Sequence, residues 1–322
     1  MGDFPKFVEL HEEGPREGFQ IEEGIFSLED RARVINALSE TGLKRIQVAS
    51  FVNPKAVPSM ADAEQLFQTI KRREGVQYTS VWLNKSGFER ALNTPGVYLY
   101  GKMTLYTTDA FCRSNNNCSA AEMRRTQLDW LEMFDEHNIA LEEAYILTAF
   151  GCNLGGEVPV SAVTDCARFV VDTCKAQNRP LPRIVLTDTS GWANPIEVRR
   201  RIEAVREVAP EARLGLHLHD TRGVGAANFY EALQMGIDLF DTSVAGLGGC
   251  PFAAAKDGKA AGNICTEDMV FLCEELGIET GINLEKLMAA AKIAEEVIGR
   301  QLAGRIMHSG GLSEFRNRVR KD

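Results

Sequence analysis

Several features that mark other classes of protein are missing from this sequence of 322 residues. Its eight cysteines are scattered, with no CxxC pair and no dense framework, which is typical of reduced thiols in a cytoplasmic protein. No run approaches the roughly 18 apolar residues that a membrane span requires. The N-terminal part carries acidic pairs, Glu12-Glu13 and Glu22-Glu23, unlike a basic signal peptide or an Arg-rich transit peptide. We therefore expect a cytoplasmic protein without a membrane segment.

Positive charge is also scarce. The chain has 36 Lys and Arg against 45 Asp and Glu, a net charge of -9 at pH 7, and this argues against a nucleic-acid partner because phosphate binding needs a basic surface. The three tryptophans are scattered and offer no platform on which bases could stack. If such an acidic protein binds an anionic ligand, it must place positive charge locally. A metal ion or a well-placed arginine is therefore expected.

What the chain does contain is an alternation of short apolar runs and helix-length amphipathic segments, repeated eight times. The apolar runs predict strands near Phe7–Glu12, Arg45–Ser50, Gln77–Leu83, Val97–Leu105, Glu143–Phe150, Arg183–Thr189, Leu214–His219 and Leu239–Ala245. Helices are predicted between them at Ser27–Glu40, Ala61–Glu74, Ala120–His137, Val160–Asn178 and Pro195–Ala209, and after strand eight at Thr266–Leu276 and Leu284–Arg300. Eight β/α units favour an α/β fold of the (β/α)8 TIM-barrel class over a doubly wound sheet. We predict one domain over residues 1–322, with the barrel at about 5–280 and a C-terminal helical extension at about 281–322.

Two histidines stand one residue apart at the end of predicted strand seven. Side chains at positions i and i+2 of a strand share a face, so His217 and His219 should project together, roughly 6–7 Å apart along the strand. Imidazole nitrogens bind a metal at about 2.0–2.1 Å, so the pair could converge on one divalent cation. A hydrogen-bonded pair of core histidines explains the same spacing, and the spacing alone leaves both interpretations open.

Other reactive residues follow the same edge of the predicted barrel. Active sites of such barrels lie at the carboxyl ends of the strands and in the loops after them. Ser50 ends strand two, Asp188 ends strand six, and Cys250 follows strand eight. The grouping of these residues with the two histidines favours a metal site over a structural pair.

The segment after strand one places an arginine beside a carboxylate. Gly14 and Pro15 predict a turn, from which Arg16 and Glu17 should point toward the same edge. A carboxylate can ligate a metal, and a guanidinium can hold an anionic substrate oxygen. A surface Arg–Glu pair on a tight turn is the alternative for this loop read in isolation.

Together these segments resemble the DRE-TIM metallolyase superfamily, in which an Arg-Asp-Gly-x-Gln loop and a His-x-His pair surround a divalent metal. Within it, the chain is most similar to the hydroxymethylglutaryl-CoA lyases, along nearly its whole length. The segments that carry the resemblance are Gly14-Pro15-Arg16-Glu17-Gly18-Phe19-Gln20, residues 49–62 (ASFVNPKAVPSMAD), Asn116-Asn117-Cys118-Ser119, Ala149-Phe150-Gly151-Cys152, Thr187-Asp188-Thr189, His217-Leu218-His219-Asp220-Thr221-Arg222-Gly223 and Gly246-Leu247-Gly248-Gly249-Cys250-Pro251. The last of these resembles the lyase branch specifically.

The resemblance implies roles for individual residues. The implied metal ligands are Glu17, His217, His219 and Asn263. The implied catalytic residues are Arg16, which faces the developing enolate oxygen, Cys250, which transfers a proton, and Asp188, which with Asp220 supports the metal or handles protons. The implied substrate-binding residues are Arg16, Gln20, Gln47 and Ser50. Two imidazoles with a carboxylate and an amide oxygen suit Mg²⁺ or Mn²⁺, and open coordination positions would take the substrate's oxygens. The alternative to a catalytic role for Cys250 is that it is simply a small buried residue.

Three departures from the family pattern concern the substrate. Glu17 stands where the family has Asp, and Gln47 stands where the hydroxymethylglutaryl enzymes have Glu. The stretch after the Cys-Pro pair, Phe252–Ala260, is longer than its counterpart. These changes leave open which branched 3-hydroxyacyl-CoA is used.

We therefore predict a divalent-metal-dependent carbon–carbon lyase that splits a 3-hydroxy-3-substituted acyl-CoA by a retro-Claisen step, with 3-hydroxy-3-methylglutaryl-CoA as the first substrate to test. A lyase for a related branched 3-hydroxyacyl-CoA is one alternative. Another is a synthase of the same superfamily, which condenses acetyl-CoA with a 2-oxo acid. A third is a barrel that binds acyl-CoA without catalysis, which the changes at positions 17 and 47 would motivate. The resemblance also suggests a homodimer or larger homo-oligomer.

Overall fold

The computed structural model describes residues 4–249, 262–313 and 315–316. Each of the eight predicted strands forms, and most are shorter than predicted. They are β1 (Glu9–Glu12), β2 (Arg45–Phe51), β3 (Gln77–Trp82), β4 (Gly101–Tyr106), β5 (Leu141–Leu147), β6 (Arg183–Thr187), β7 (Leu214–His217) and β8 (Leu239–Thr242).

Helices separate the strands along the chain, as the (β/α)8 class requires. They are α1 (Gly14–Ile21), α2 (Leu28–Ser39), α3 (Ala63–Thr69), α4 (Lys85–Leu92), α5 (Asp109–Asn116), α6 (Ala120–Glu136), α7 (Val160–Ala176), α8 (Pro195–Val208), α9 (Gly225–Gln234), α10 (Thr266–Glu275), α11 (Leu284–Ile298) and α12 (Ile306–Ser309). Short 3-10 turns occupy Pro58–Met60 and Val244–Gly246. No helix among the described residues has the length and apolar character needed to cross a bilayer.

The described chain divides into two compact units. The first is built mainly from Leu99–Asp241, with Gly249, Gly262 and Asn263. The second contains Lys6–Tyr98, Thr242–Gly248 and the part of the chain from Ile264 onward.

In the first unit, strands β4 to β7 and the start of β8 lie parallel and side by side in chain order. The register between β7 and β8 pairs His217 with Asp241. Helix α6 begins at a capping box, in which Ser119 and Glu122 each accept a bond from the other's backbone N–H. The pairing of β7 with β8 places His217 beside Asp241 within this unit.

In the second unit, β2 lies between β1 and β3, and every residue of β2 is buried, as in a parallel strand that is covered on both faces. Thr242, the last residue of β8, belongs to this unit. Its carbonyl oxygen accepts a bond of 2.9 Å from the N–H of Glu13, just after β1. The segments that follow β1 and β8 are thus neighbours within this unit.

Three sequence predictions need correction. Residues 14–21 form a helix instead of a turn, because Pro15 stands in the first helical turn, where its missing N–H costs nothing and its fixed φ suits the helix. Strand β7 ends at His217, and His219 forms an isolated antiparallel bridge with Asn263. Helix α3 ends at Thr69 instead of residue 74, because Ile70 is extended.

Candidate active site

The end of β7 places both histidines in the interior. His217 and His219 are 7% and 3% exposed, and their Nε2 atoms lie 3.0 Å apart. This is the shared orientation that the i, i+2 spacing predicts for extended backbone. The two rings are close enough for their Nε2 atoms to face one common cation.

Asp241 fixes the orientation of the first histidine. Its Oδ2 lies 3.0 Å from Nδ1 of His217 and accepts a bond of 2.7 Å from the hydroxyl of Tyr145. With an ionised Asp241, Nδ1 of His217 carries the proton and the lone pair of the neutral ring lies on Nε2. Metal-ligating histidines are commonly held in this way by a carboxylate on the other nitrogen. The donors of the first unit therefore fit a divalent cation: two imidazole nitrogens and the side-chain amide of Asn263, a residue whose backbone pairs with that of His219 in an isolated bridge.

Asp188 is the second buried carboxylate of this unit. Its N–H donates to the carbonyl of His217 (2.8 Å), and its Oδ1 accepts from the N–H groups of Trp192 (2.6 Å) and Ala193 (3.1 Å). Oδ2 is buried and has no hydrogen-bond partner among the described residues. Burial raises the pKa of Asp188 to about 7, although these bonds and Arg222 oppose the rise. The carboxyl group can therefore gain or lose a proton near neutral pH.

Asp220 has a local structural role. Its Oδ1 accepts a bond of 2.6 Å from the N–H of Gly225 at the start of α9, and its own N–H donates to the carbonyl of Gly262 (3.1 Å). The carboxylate thus shapes the turn between the histidines and α9.

The second unit contains Arg16, on the first turns of α1. Its Nη2 donates to Oε2 of Glu13 (2.7 Å) and to Oε1 of Glu17 (2.9 Å), and its Nε donates to Oε1 of Gln47. Nε2 of Gln47 in turn donates to Oε1 of Glu13 (2.9 Å). Two other predicted site residues of this unit also bond to each other: the hydroxyl of Ser50 donates to Oε1 of Gln20 (3.0 Å). The resemblance expects a carboxylate at position 47, whereas here the carboxylate against Arg16 and Gln47 belongs to Glu13.

Close packing joins α1 to the segment Ser243–Gly248. A Cβ atom added to Gly14 would lie 2.7 Å from Oγ of Ser243, and one added to Gly18 would lie 2.9 Å from Cβ of Leu247. A Cβ atom on Gly248, whose φ is +93°, would lie 2.7 Å from Cβ of Glu17. Helix α1, which carries Arg16 and Glu17, therefore packs so closely on Ser243–Gly248 that these glycine positions leave no room for a side chain.

Glu12, the last residue of β1, reinforces this contact. Its Oε1 accepts from the N–H groups of Gly14 (2.8 Å) and Val244 (2.9 Å), and its Oε2 accepts from the hydroxyl of Thr266 (2.6 Å). Burial raises the pKa of this fully buried carboxyl to about 7, and the three bonds limit the rise. Glu12 thus ties the first turn of α1 to the segment after β8.

Glu267, at the start of α10, is a second fully buried acid of this unit. Its Oε2 accepts a bond of 3.0 Å from the N–H of Ala245, whose φ of 55° lies in the left-handed region. Burial raises the pKa of Glu267 to about 8, with the nearby charge of Glu12 as a minor cause. Two buried acids therefore hold the Val244–Gly246 turn.

The predicted site residues are thus found in both units. The first unit holds His217, His219, Asn263 and Asp188, and the second holds Arg16, Glu17, Gln20, Gln47 and Ser50. Cys250 lies outside the described residues. The sequence interpretation missed Glu13 and Asp241. Glu13 follows predicted strand one directly, where the barrel rule directs attention, whereas Asp241 falls inside predicted strand eight, which ends earlier than predicted, at Thr242.

Comparisons with known proteins show the family of this chain. The family model described as HMGL-like matches residues 7–294. The chain is 37% identical to hydroxymethylglutaryl-CoA lyase YngG of Bacillus subtilis over 302 residues, which cover 94% of this chain and 97% of that protein. It is also 37% identical to the 3-hydroxy-3-isohexenylglutaryl-CoA/hydroxy-methylglutaryl-CoA lyase of Pseudomonas aeruginosa, over 94% of this chain and 97% of that protein.

A solved structure gives the same result for the fold. The HMG-CoA lyase of Acinetobacter baumannii, in complex with coenzyme A and 3-methylmalate, matches with a TM-score of 0.85 and 31% identity over 98% of each chain. With the eight parallel strands, this match confirms the predicted (β/α)8 TIM-barrel class.

Proposed function

The chain belongs to the HMGL-like family, and from this premise we propose that it cleaves 3-hydroxy-3-methylglutaryl-CoA to acetyl-CoA and acetoacetate. The observation that carries the proposal is the buried pair of His217 and His219, with Asp241 behind the first ring. Relatives that carry the name of this lyase are 37% identical over nearly the full chain, and membership of the family implies a divalent metal.

We extend the proposal to the metal and its ligands. The four ligands are Glu17, His217, His219 and Asn263, and the cation is Mg²⁺ or Mn²⁺, because imidazole, carboxylate and amide donors suit these ions. The family resemblance supports the set, and the carboxylate behind His217 supports one member of it. When bound, the cation polarises the substrate's oxygens and supplies positive charge to the anion that forms.

The chain's own residues would then carry out the proton transfers. Asp188, with a pKa raised to about 7, takes the proton from the tertiary hydroxyl group. The electron pair left on that oxygen forms the ketone of acetoacetate as the carbon–carbon bond breaks, and the bonding pair passes into the enolate of acetyl-CoA. Arg16 holds the enolate oxygen by a charge-assisted hydrogen bond. Cys250 then delivers a proton to the enolate carbon, which completes acetyl-CoA.

We place three further polar residues at the substrate. Gln20, Gln47 and Ser50 are the substrate-binding residues that the resemblance indicates. The bond between Ser50 and Gln20 orients both groups before a ligand arrives. Acyl-CoA is the proposed partner, and the complex of the Acinetobacter enzyme with coenzyme A supports this choice.

A substrate with a larger branch is a second candidate. The Pseudomonas relative is named for both 3-hydroxy-3-isohexenylglutaryl-CoA and hydroxy-methylglutaryl-CoA. It is as similar to this chain as the Bacillus relative is, at 37% identity. A longer branch is therefore the alternative to test beside the methyl compound.

The decisive experiment is a substrate panel with Mg²⁺ and with Mn²⁺, in which acetyl-CoA release is followed from 3-hydroxy-3-methylglutaryl-CoA and from compounds with longer branches. Condensation of acetyl-CoA with 2-oxo acids is assayed in parallel. Cleavage of the methyl compound supports the proposal, and cleavage only of longer compounds supports the second candidate. Condensation alone, or thioester binding without turnover under either metal, contradicts both.

Histidine variants test the metal ligands. H217A and H219A should each lose metal binding and turnover together, measured by Mn²⁺ titration and product release. H308A is the matched control, because His308 lies at α12 and pairs with Glu295. An unchanged rate in H219A would contradict the mechanism.

A serine variant tests the proton donor. C250S should lower turnover more than it lowers Mn²⁺ affinity, because the serine hydroxyl is a much weaker acid than a thiol. Equal losses of both quantities would contradict a role in proton transfer.

We also propose that residues 1–322 form the single domain predicted from the sequence. The supporting observation is that both units are assembled from stretches that alternate along the chain. One cooperative unfolding transition would agree with this, and two resolved transitions would contradict it. We further propose a homodimer or larger assembly, to be measured by light scattering, and a cytoplasmic location, with which seven free thiols among the described cysteines agree.

A further inference from the structure

We propose that Glu13 is a positioning residue that holds the guanidinium of Arg16 in its reactive orientation. The inference rests on the proposed function, in which Arg16 faces the enolate oxygen. It deepens that function by naming the group that sets the orientation of the arginine.

The geometry is a closed ring of three hydrogen bonds. Nη2 of Arg16 donates to Oε2 of Glu13 (2.7 Å), Nε2 of Gln47 donates to Oε1 of Glu13 (2.9 Å), and Nε of Arg16 donates to Oε1 of Gln47. Each of the three side chains therefore bonds to both others. Because the two bonds to Arg16 use nitrogens on one edge of the planar guanidinium, they fix both its position and the direction of its plane.

Burial makes this ring strong. Glu13 is 5% exposed and Gln47 is 2% exposed, and the Arg16 side chain is 16% exposed. Water competes little for a buried ion pair of this kind, and an arginine that loses one partner of such a pair leaves an uncompensated charge. Glu13 therefore restrains the guanidinium of Arg16 more than a solvent-exposed carboxylate at the same distance would.

The ring accepts a single carboxylate. The amide of Gln47 presents its oxygen to Arg16 and its NH₂ group to Glu13, so it bridges the cation and the anion. A carboxylate at position 47 would instead face the carboxylate of Glu13 across about the same 2.9 Å. Like charges at this separation repel, and one of them must take up a proton. The charge can therefore stand at position 13 or at position 47, but not at both.

Glu13 also has a task that Glu17 cannot share. Both carboxylates contact Nη2 of Arg16. Glu17 is a proposed metal ligand, and its negative charge is then directed to the cation. Glu13 is not among the proposed ligands, so its charge remains available to Arg16.

The test is a charge relocation measured on full-length protein with Mg²⁺ present. E13Q keeps the side-chain shape and removes the charge, and kcat should fall about 10- to 100-fold, the range expected for one charge-assisted hydrogen bond. E13Q/Q47E restores one carboxylate on the other side of the ring, and kcat should recover to within about threefold of the wild type. E29Q is the matched control, because it removes the same charge at an exposed position of α2 in the same unit, and its kcat should not change.

A single Q47E variant adds a pH test. It places two carboxylates in the ring, so its kcat should depend on pH in a way that the wild type and E13Q/Q47E do not share. A role in packing alone would not give recovery in the double variant or a new pH dependence in Q47E. Wild-type kcat in E13Q, or no recovery in a folded E13Q/Q47E, would overturn the proposal.

A measurement without substrate separates this proposal from the proposed function. Urea unfolding of the wild type, E13Q, R16Q and E13Q/R16Q gives the coupling between the two side chains. We expect the unfolding equilibrium constants to show a coupling of about tenfold or more. Coupling with no cleavage of any thioester would leave the Arg16–Glu13 pair intact and refute the function, whereas cleavage without coupling would refute the role of Glu13.

Discussion

Replacing Glu267 by Gln should change how the stability of this protein depends on pH. Glu267 is fully buried, and its pKa is raised from 4.5 to about 8 because burial disfavours the charged form. In the folded protein the carboxyl keeps its proton up to about pH 8, whereas in the unfolded chain it loses the proton above about pH 4.5. The folded state therefore binds more protons between these values, and stability falls as the pH rises.

The size of the effect follows from the two pKa values. A rise from 4.5 to about 8, at about 1.4 kcal/mol for each tenfold change in proton affinity, amounts to roughly 5 kcal/mol in full. This stabilisation of the folded state, which the protonated carboxyl provides, is complete below pH 4.5 and is lost as the pH rises through about 8. Between about pH 5 and pH 9, about 4 kcal/mol of it should disappear from the wild type. E267Q carries no ionisable group at this position, so its stability should gain about 4 kcal/mol relative to the wild type over the same range.

The assay is urea unfolding of both proteins at several pH values from about 5 to 9, followed by circular dichroism and tryptophan fluorescence. Coincident transitions from the two probes check that unfolding is two-state. E29Q serves as the control, because Glu29 is exposed, and its stability should run parallel to that of the wild type. A constant difference between E267Q and wild type across the whole range would refute the reasoning, because a buried carboxyl that stays charged gives no such slope.

Three further predictions concern the residues around the site. D241N keeps an acceptor for Tyr145 but loses the charge behind the histidine pair, so Mn²⁺ affinity should fall about 10- to 100-fold in a titration while the circular dichroism spectrum stays unchanged. G248A should lower the unfolding free energy by about 2–4 kcal/mol in urea, because φ is +93° and the new Cβ would collide with Glu17. Gly75 also has a positive φ, but an added Cβ atom there would meet no other atom. G75A should therefore lower the unfolding free energy by only about 1 kcal/mol, and equal losses in the two variants would contradict the collision. Y145F removes the bond to Asp241 and should cost about 1–2 kcal/mol in the same assay, whereas no loss would show that the hydroxyl contributes nothing.

Local patterns were sufficient to predict most of the fold. All eight strands coincide with the predicted runs, because parallel strands are buried on both faces, as β2 is, and most of them are therefore rich in apolar residues. The shared orientation of His217 and His219 also follows from local geometry alone. The wrong prediction at residues 14–21 arose because Gly-Pro marks a turn as well as the first turn of a helix, and the amphipathic run after it is too short to decide.

The partners of the site residues depend on register and tertiary packing, which local patterns do not contain. Asp241 reaches His217 because β7 and β8 pair in a register that joins residues 24 positions apart. Glu13 reaches Gln47 across 34 positions, and nothing in either segment indicates the pairing. Glu13 stands just after predicted strand one, at the carboxyl end where the barrel rule directs attention, but only the three-dimensional arrangement shows which side chains Glu13 and Asp241 contact.

The close packing of α1 on Ser243–Gly248 has a consequence for the interpretation of mutational scans. In a saturation library selected for activity, Gly14, Gly18 and Gly248 should tolerate substitution as poorly as Arg16 does, because any side chain at these positions meets atoms at 2.6–2.9 Å. Yet a glycine has no side chain that could bind substrate or move a proton. A ranking of positions by tolerance alone would therefore mix geometric spacers with chemical residues. Libraries that aim at a longer acyl branch should hold these glycines fixed and diversify the side chains around them.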